Sequence, residues 1–201
     1  MTDGEKTGDV IVPGEHVYLG QVRRDLAPVY RRWLNSLQMS RTMGVISDQG
    51  LPMTDQDEED WFEAARSDKD SVLFGIYERE SGLPVGNAGL SGVRSHHRSA
   101  EFGIGIGEPW ARGKGYGTEA TKLVLDYGFT ALGLHHIWLR CVAFNQAGIR
   151  AYEKAGFRES GRWREGWQLG GQQHDVILMD ILAREFESPV LRELMDVPGN
   201  E

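Results

Sequence analysis

The stretch RGKGYGT, Arg112 to Thr118, constrains this chain more than any other. Three glycines at alternate positions separate the strand-like run IGIGEPWA, 104–111, from a segment of helical periodicity that starts near Gly115. Glycine loses more conformational freedom on folding than any other residue, so such density at a helix mouth implies a compensating gain. The first N–H groups of a helix lack intrahelical partners, and the helix dipole adds positive potential there. A strand, a bare turn and a helix N-terminus in that order make an anion site suited to a diphosphate. Arg112 and Lys114 add charge, and Gly115 and Gly117 let a ligand reach the backbone. The competing explanation is a flexible strand-to-helix turn.

Two familiar phosphate motifs do not fit. A nucleoside-triphosphate loop, GxxxxGK[ST], set on Gly113-Lys114 places Glu108 at its first glycine and Gly115 at its hydroxyl residue. The dinucleotide fingerprint GxGxxG is replaced by GxGxG at Gly113, Gly115 and Gly117, outside any regular βαβ series.

The rest of the chain supplies a setting for this turn. HVYLGQV alternates as a first strand. Asp25 is expected to cap a helix through Ser36, with Leu26, Val29, Tyr30, Trp33 and Leu37 on one face. VISDQGLPMT reads as a loop, and Thr54 or Asp55 as the cap of a second helix, DQDEEDWFEAARS. Its acidic residues Asp55, Asp57, Glu58, Glu59 and Asp60 read as a solvated face that complements the helix dipole, or else as an acidic mouth for a polycation. SVLFGIYE and LPVGNAGLSG form a hairpin around Gly82, and SAEFGIGIG a further strand carrying Glu101. A helix runs from Gly115 to Leu132, then the strand HHIWLRCVAF, then a helix from Asn145 to Ala155 that stops at Gly156. FRESGRWREGW and HDVILMDILA close the chain as a pair of strands. The pattern is a mixed α/β sheet with helices on both faces. A tail over 1–15, one domain over 16–186 and a C-terminal tail over 187–201 are expected.

Composition narrows the function classes. With 201 residues, 40% hydrophobic, the chain is long enough for one well-packed core. No apolar run approaches the ~20 residues of a membrane span, and the polar N-terminus is unlike a secretory signal. The single cysteine, Cys141, excludes an internal disulfide, fits a cytoplasmic location, and lies in an apolar strand where a buried thiol is expected. A net charge of −8 argues against a nucleic-acid partner and is compatible with a cationic amine. No metal site is expected.

A second motif, NQAGIRAYEKAGF, sets Asn145 and Tyr152 seven apart, nearly two helical turns, on one face. Alone, the asparagine reads as a cap and the tyrosine as a core aromatic. The two motifs together, Arg112-x-x-Gly115-x-Gly117 and then Asn145, Tyr152 and Gly156-Phe157, resemble the GNAT superfamily of acyl-CoA N-acyltransferases. Within it, AEFGIGI, GKGYGTEATKLVLDYGFTALGLHHIWLRC and AYEKAGF are most similar to the branch of ribosomal-protein N-terminal and spermidine N-acetyltransferases.

The resemblance implies a mostly antiparallel central sheet with a V-shaped splay between its fourth and fifth strands. It implies acetyl-CoA as co-substrate, its pyrophosphate on the backbone of Arg112, Gly113, Lys114, Gly115, Tyr116, Gly117 and Thr118. The pantetheine arm would pair with Ile104, Gly105 and Ile106, and Asn145 would hold its far end. Tyr152 would be the acid that protonates the leaving thiolate, and strand N–H groups would polarise the thioester carbonyl. Glu101 is the candidate for ordering the amine, directly or through water; a solvated strand carboxylate is the alternative. His96, His97 and the His174-Asp175 pair are weaker candidates, with loop and turn roles as alternatives. Trp110 would cover the adenine or pin the turn. The acceptor implied is a protein N-terminus or a small amine or polyamine, and the oligomeric state stays open between monomer and homo-oligomer. The competing function is a non-catalytic CoA-binding or sensing module on the same fold.

Overall fold

The computed structural model describes residues 9–43 and 52–196. Its centre is an eight-stranded sheet, made of β1 (Val10–Val12), β2 (Val17–Gly20), β3 (Val72–Glu78), β4 (Pro84–Arg94), β5 (Ser99–Ile106), β6 (His136–Val142), β7 (Arg158–Leu169) and β8 (Gln172–Leu182). The order across the sheet is β1-β2-β3-β4-β5-β6-β8-β7. Every neighbouring pair is antiparallel except β5 and β6. Turn chemistry sets the hairpins. Gly82, at φ 67°, lies in the β3–β4 turn. Gly170 and Gly171, at φ 59° and 77°, join β7 to β8 in the two-residue connection whose twist suits antiparallel strands.

The helices are α1 (Ala27–Leu34), α2 (Leu37–Met43), α3 (Asp55–Ser67), α4 (Tyr116–Asp126), α5 (Gln146–Ala155) and the short α6 (Leu191–Met195). The apolar stripe of α4, Ala120, Leu123 and Val124, is fully buried in the main core with Leu19, Ile76 and Leu90 of the sheet. A smaller cluster of Tyr30, Trp33 and Met39 fills the space under α1 and α2. No described helix is long and apolar enough to cross a membrane.

Several elements depart from the sequence-based expectation. The expected N-terminal tail contains β1, and Val12 is fully buried. The Glu119 carboxylate on α4 accepts from the backbone N–H groups of Glu15 and His16, which ties this segment down. The extra strand shifts the count, so the splay expected between the fourth and fifth strands lies between β5 and β6. Asp25 does not cap α1: its carboxylate pairs with Arg23, and the helix starts with Pro28 in its first turn after a 3-10 turn at Arg24–Leu26. Leu37 is 69% exposed and begins α2, a helix the sequence pattern did not reveal. The expected loop at 45–54 falls outside the described residues from 45 to 51. Past Asp126 the chain widens into a π-helical turn, Tyr127–Ala131. α6 lies within the expected C-terminal tail, where buried Asp126 accepts from the N–H groups of Val190 and Leu191.

Candidate active site

β5 and β6 share only three rungs, Ser99↔His136, Ala100↔Ile137 and Glu101↔Trp138, and then diverge. The gap opens beside Phe102 to Ile106, whose other edge stays paired with β4. Alternation along β5 sorts its side chains. A Cβ on Gly105 would strike Met39 and Met43 of α2, so Glu101, Gly103 and Gly105 look toward α2. Phe102 looks the other way, its ring 6.1 Å from that of Tyr152 on α5. Two cavities meet at the gap. One, of about 490 Å³, runs from the glycine turn along Ile104, Gly105 and Ile106 to α5. The other, of about 810 Å³, spreads from Glu101 and Phe102 toward β7. Ile104, Asn145 and Tyr152 line both.

The glycine turn has the geometry of an anion cradle. Gly113 and Gly115 hold φ of 76° and 89°, Gly115 being the N-cap of α4. A Cβ on either would meet nothing within 4 Å, and one on Gly117 would meet only Ile106 at 3.6 Å. The backbone here is bare on the side that faces the cavity, so a phosphate-bearing group fits it. The expected cationic side chains serve otherwise. Arg112 lines the cavity, but its guanidinium donates to the carbonyls of Ile106 (3.1 Å) and Gly107 (3.3 Å) and pins the end of β5. Lys114 and Tyr116 turn away to Glu78: the Tyr116 hydroxyl donates to its carboxylate at 2.6 Å, and the Lys114 ammonium sits 3.9 Å from it. That ammonium also lies 4.9 Å above Trp110, which is thereby bound into the turn. Positive charge on the cavity comes instead from Arg41 of α2 and from Arg150 and Lys154 of α5. Their signal was available: Ala147, Ala151 and Lys154 share the helical stripe that follows Asn145, with Arg150 beside it.

Asn145 caps α5, its side-chain oxygen accepting from the Gly148 N–H at 3.1 Å, while it also borders both cavities. Burial, with a smaller contribution from nearby Cys141, holds the Tyr152 phenol well above its ordinary range. The Cys141 thiol is buried, and burial pushes it up to about 11, so it is no nucleophile. Glu101 accepts from the Arg140 Nε at 2.8 Å, and the Arg140 guanidinium lies over the rings of Trp138 (5.9 Å) and Trp163 (5.7 Å).

The weaker candidates lie elsewhere. His96 and His97 pack edge-on to each other in the exposed β4–β5 turn and line neither of these cavities. His174 packs edge-on to Phe144. Asp175 accepts from the Glu165 N–H and pairs with Arg162, which hold its carboxyl below the usual range and fix a bulge in β7. Sequence reasoning missed Arg140, Trp163 and Trp167, which come to the gap from β6 and β7, strands that flank the second motif in sequence and meet only across the sheet.

The whole is a cleft for a long ligand with an anionic end. The glycine turn lies at one end of this cleft, and the Tyr152 phenol and the Glu101–Arg140 pair lie at the other. Comparison with known proteins places the chain by fold and family. The chain is 37% identical over 102 residues to the spermidine N(1)-acetyltransferase of Vibrio cholerae and 36% identical over 105 residues to that of Escherichia coli K12. These alignments cover 51% and 52% of this chain and 58% and 56% of those relatives, so the chain spans little more than half of the curated relatives it matches. The crystal structure of spermidine N-acetyltransferase from Vibrio cholerae in complex with CoA and spermine superposes with a TM-score of 0.77 at 26% identity, over 86% of this chain and 98% of that one. A GNAT-family acetyltransferase from Bacillus anthracis, 21% identical, shares the fold with a TM-score of 0.74 over 87% of this chain and 99% of that one. The model of the GNAT acetyltransferase domain matches residues 16–158, glycine turn, splayed strand and Tyr152 included, and the chain belongs to that family.

Proposed function

We propose that this protein transfers an acetyl group from acetyl-CoA to a primary amine by direct attack within a ternary complex. The observation that carries this reading is the position of Tyr152, at the junction of a cofactor-shaped cavity and a second, separate cavity. The bare backbone of the glycine turn would take the diphosphate, with Arg41, Arg150 and Lys154 around it. The open edge of Phe102–Ile106 would pair with the pantetheine amides. When bound, acetyl-CoA supplies an activated acetyl carbonyl and a thiol leaving group.

The remaining work falls to side chains and backbone. N–H groups of the splayed part of β5 polarise the carbonyl. The amine nitrogen forms the new C–N bond as the C–S bond breaks. Glu101, directly or through water, accepts a proton from the amine, and Tyr152 donates one to the departing sulfur. A phenol held above its ordinary ~10 keeps that proton at neutral pH and gives it up to a thiolate in the same desolvated cleft.

The relatives' names support an amine acceptor, with spermidine as the first to test. The Tyr152→Phe variant should lose about a hundredfold or more in kcat for CoA release while calorimetric affinity for acetyl-CoA is kept. Undiminished turnover would remove Tyr152 from the acid role. Binding of acetyl-CoA without CoA release for any amine would favour the sensing module instead; the presence of both Asn145 and Tyr152 on the cleft speaks against it.

A further inference from the structure

The second cavity has an electrostatic character that a polycation does not match. Among the described residues that line it, the only charged groups are Glu101 and Arg140, and these are paired with each other. The described lining therefore carries no net charge, and its one carboxylate shares Oε1 with the Arg140 Nε. The acidic run of α3 contributes nothing to this lining. A polyamine, with an ammonium every few carbons, would find among the described lining residues one carboxylate, Glu101, for its reacting ammonium and none for the others.

Some donors on this lining have no partner among the described residues. Arg140 uses its Nε on Glu101, and its two terminal nitrogens have no protein partner among the described residues. The guanidinium plane is held by Trp138 and Trp163, and the side chain is about half exposed to the cavity (49%). A fixed fork of that kind matches a carboxylate through two parallel hydrogen bonds. The indole N–H of Trp167, also on the lining, is buried without a partner. The walls beside these donors are apolar and aromatic: Trp163, Trp167 and Val176.

Resting on the acetyltransferase reading above, we infer that the acceptor is a primary amine that also carries a carboxylate, an amino-acid-like zwitterion with an apolar or aromatic side group, and that Arg140 selects it. The carboxylate sits on the free edge of the Arg140 fork. The apolar group lies against Trp163 and Trp167. The ammonium faces Glu101, where it gives up its proton before attack.

The test measures CoA release from acetyl-CoA by the full chain with tryptophan, phenylalanine, methionine, tryptamine and spermidine as acceptors. Tryptophan and tryptamine differ only in the carboxylate. The expected result is a kcat/KM for tryptophan at least about tenfold above tryptamine and spermidine, the size of one charge-assisted hydrogen-bonded contact. In the Arg140→Met variant the tryptophan-to-tryptamine ratio should collapse toward one, and Arg140→Lys should restore part of it. Equal or better turnover of tryptamine in the wild-type chain overturns the carboxylate subsite. Turnover of spermidine alone overturns the inference and leaves the acetyltransferase reading standing. No release with any acceptor, while acetyl-CoA binds, counts against both. The wild-type comparison decides even if a variant folds poorly.

Discussion

Glu58 is the residue whose surroundings most oppose its chemistry. It is 1% exposed, and neither carboxylate oxygen has a hydrogen-bond partner. Burial pushes its carboxyl from 4.5 up to about 7, and the nearby Arg31 charge only partly opposes this. The folded protein therefore holds a proton here that the unfolded chain has released, across the window between those two values. Stability is greatest below it, falls as pH rises through it, and is flat above it, a loss of up to about 3 kcal/mol. Urea unfolding at pH 5 and pH 8 should show that fall, and Glu58→Gln should be the more stable protein at pH 8 with a flatter profile. A Gln variant with an unchanged profile would assign the slope to other groups. The sequence reading placed Glu58 with its acidic neighbours on a solvated face. Its spacing from Phe62, four residues, already set it on the inward stripe, but composition outweighed periodicity. That Tyr152 and Asn145 border the cleft was legible for the opposite reason: two modest residue types stood out through their spacing and the glycines nearby.

At the scale of elements, α5 shows how local chemistry marks its own ends. Asn145 starts it and Gly156, at φ 109°, stops it, both as expected from sequence. Because Asn145 also borders the cleft, two substitutions separate its tasks. Asn145→Ala should lower stability by about 1 kcal/mol, and Asn145→Asp should restore the cap. A KM for acetyl-CoA that stays raised in the Asp variant would show that the amide itself contacts the co-substrate; a KM restored with the cap would leave it a structural residue. α6 hangs on a different device, the buried Asp126 with its two backbone donors and the Thr130 hydroxyl. Asp126→Ala should cost about 2 kcal/mol or more and should speed amide exchange at Val190 and Leu191 before elsewhere. These long-range ties were not legible, because nothing near Asp126 in sequence names its partners. α2 was missed for want of amphipathic pattern, with only Met39 and Ser40 buried, and α1 was miscapped because Arg23 takes the Asp25 carboxylate. By contrast, every strand from β2 onward was expected, β2 from its alternation and β3 and β4 from the hairpin around Gly82.

Across the whole molecule, the site divides by how it is built. The proposed cofactor side is a continuous turn and strand, so adjacent residues carry its whole pattern. The acceptor side is gathered from β5, β6, β7 and β8, whose order in space is not their order in the chain, and so Arg140, Trp163 and Trp167 gave no sign of acting together. The same division makes an expectation about binding. Acetyl-CoA should slow hydrogen exchange most at Phe102–Ile106 and leave the β3–β4 amides nearly untouched, as native-state exchange with and without it would register. Uniform slowing would mean that the ligand does not lie along that edge.

The three rungs between β5 and β6 have a mechanical consequence. Two slabs of sheet are joined along a short seam, and an arm laid in the gap acts as a keystone that the chain does not itself encode. Load passed from one slab to the other would travel through the guest as well as through the seam. The protein should thus be stiffer, and its melting temperature should rise with the logarithm of the acetyl-CoA concentration once that exceeds Kd. A fall in the cell's supply of activated acetate would then do two things at once: slow turnover and leave more of these molecules open to proteases.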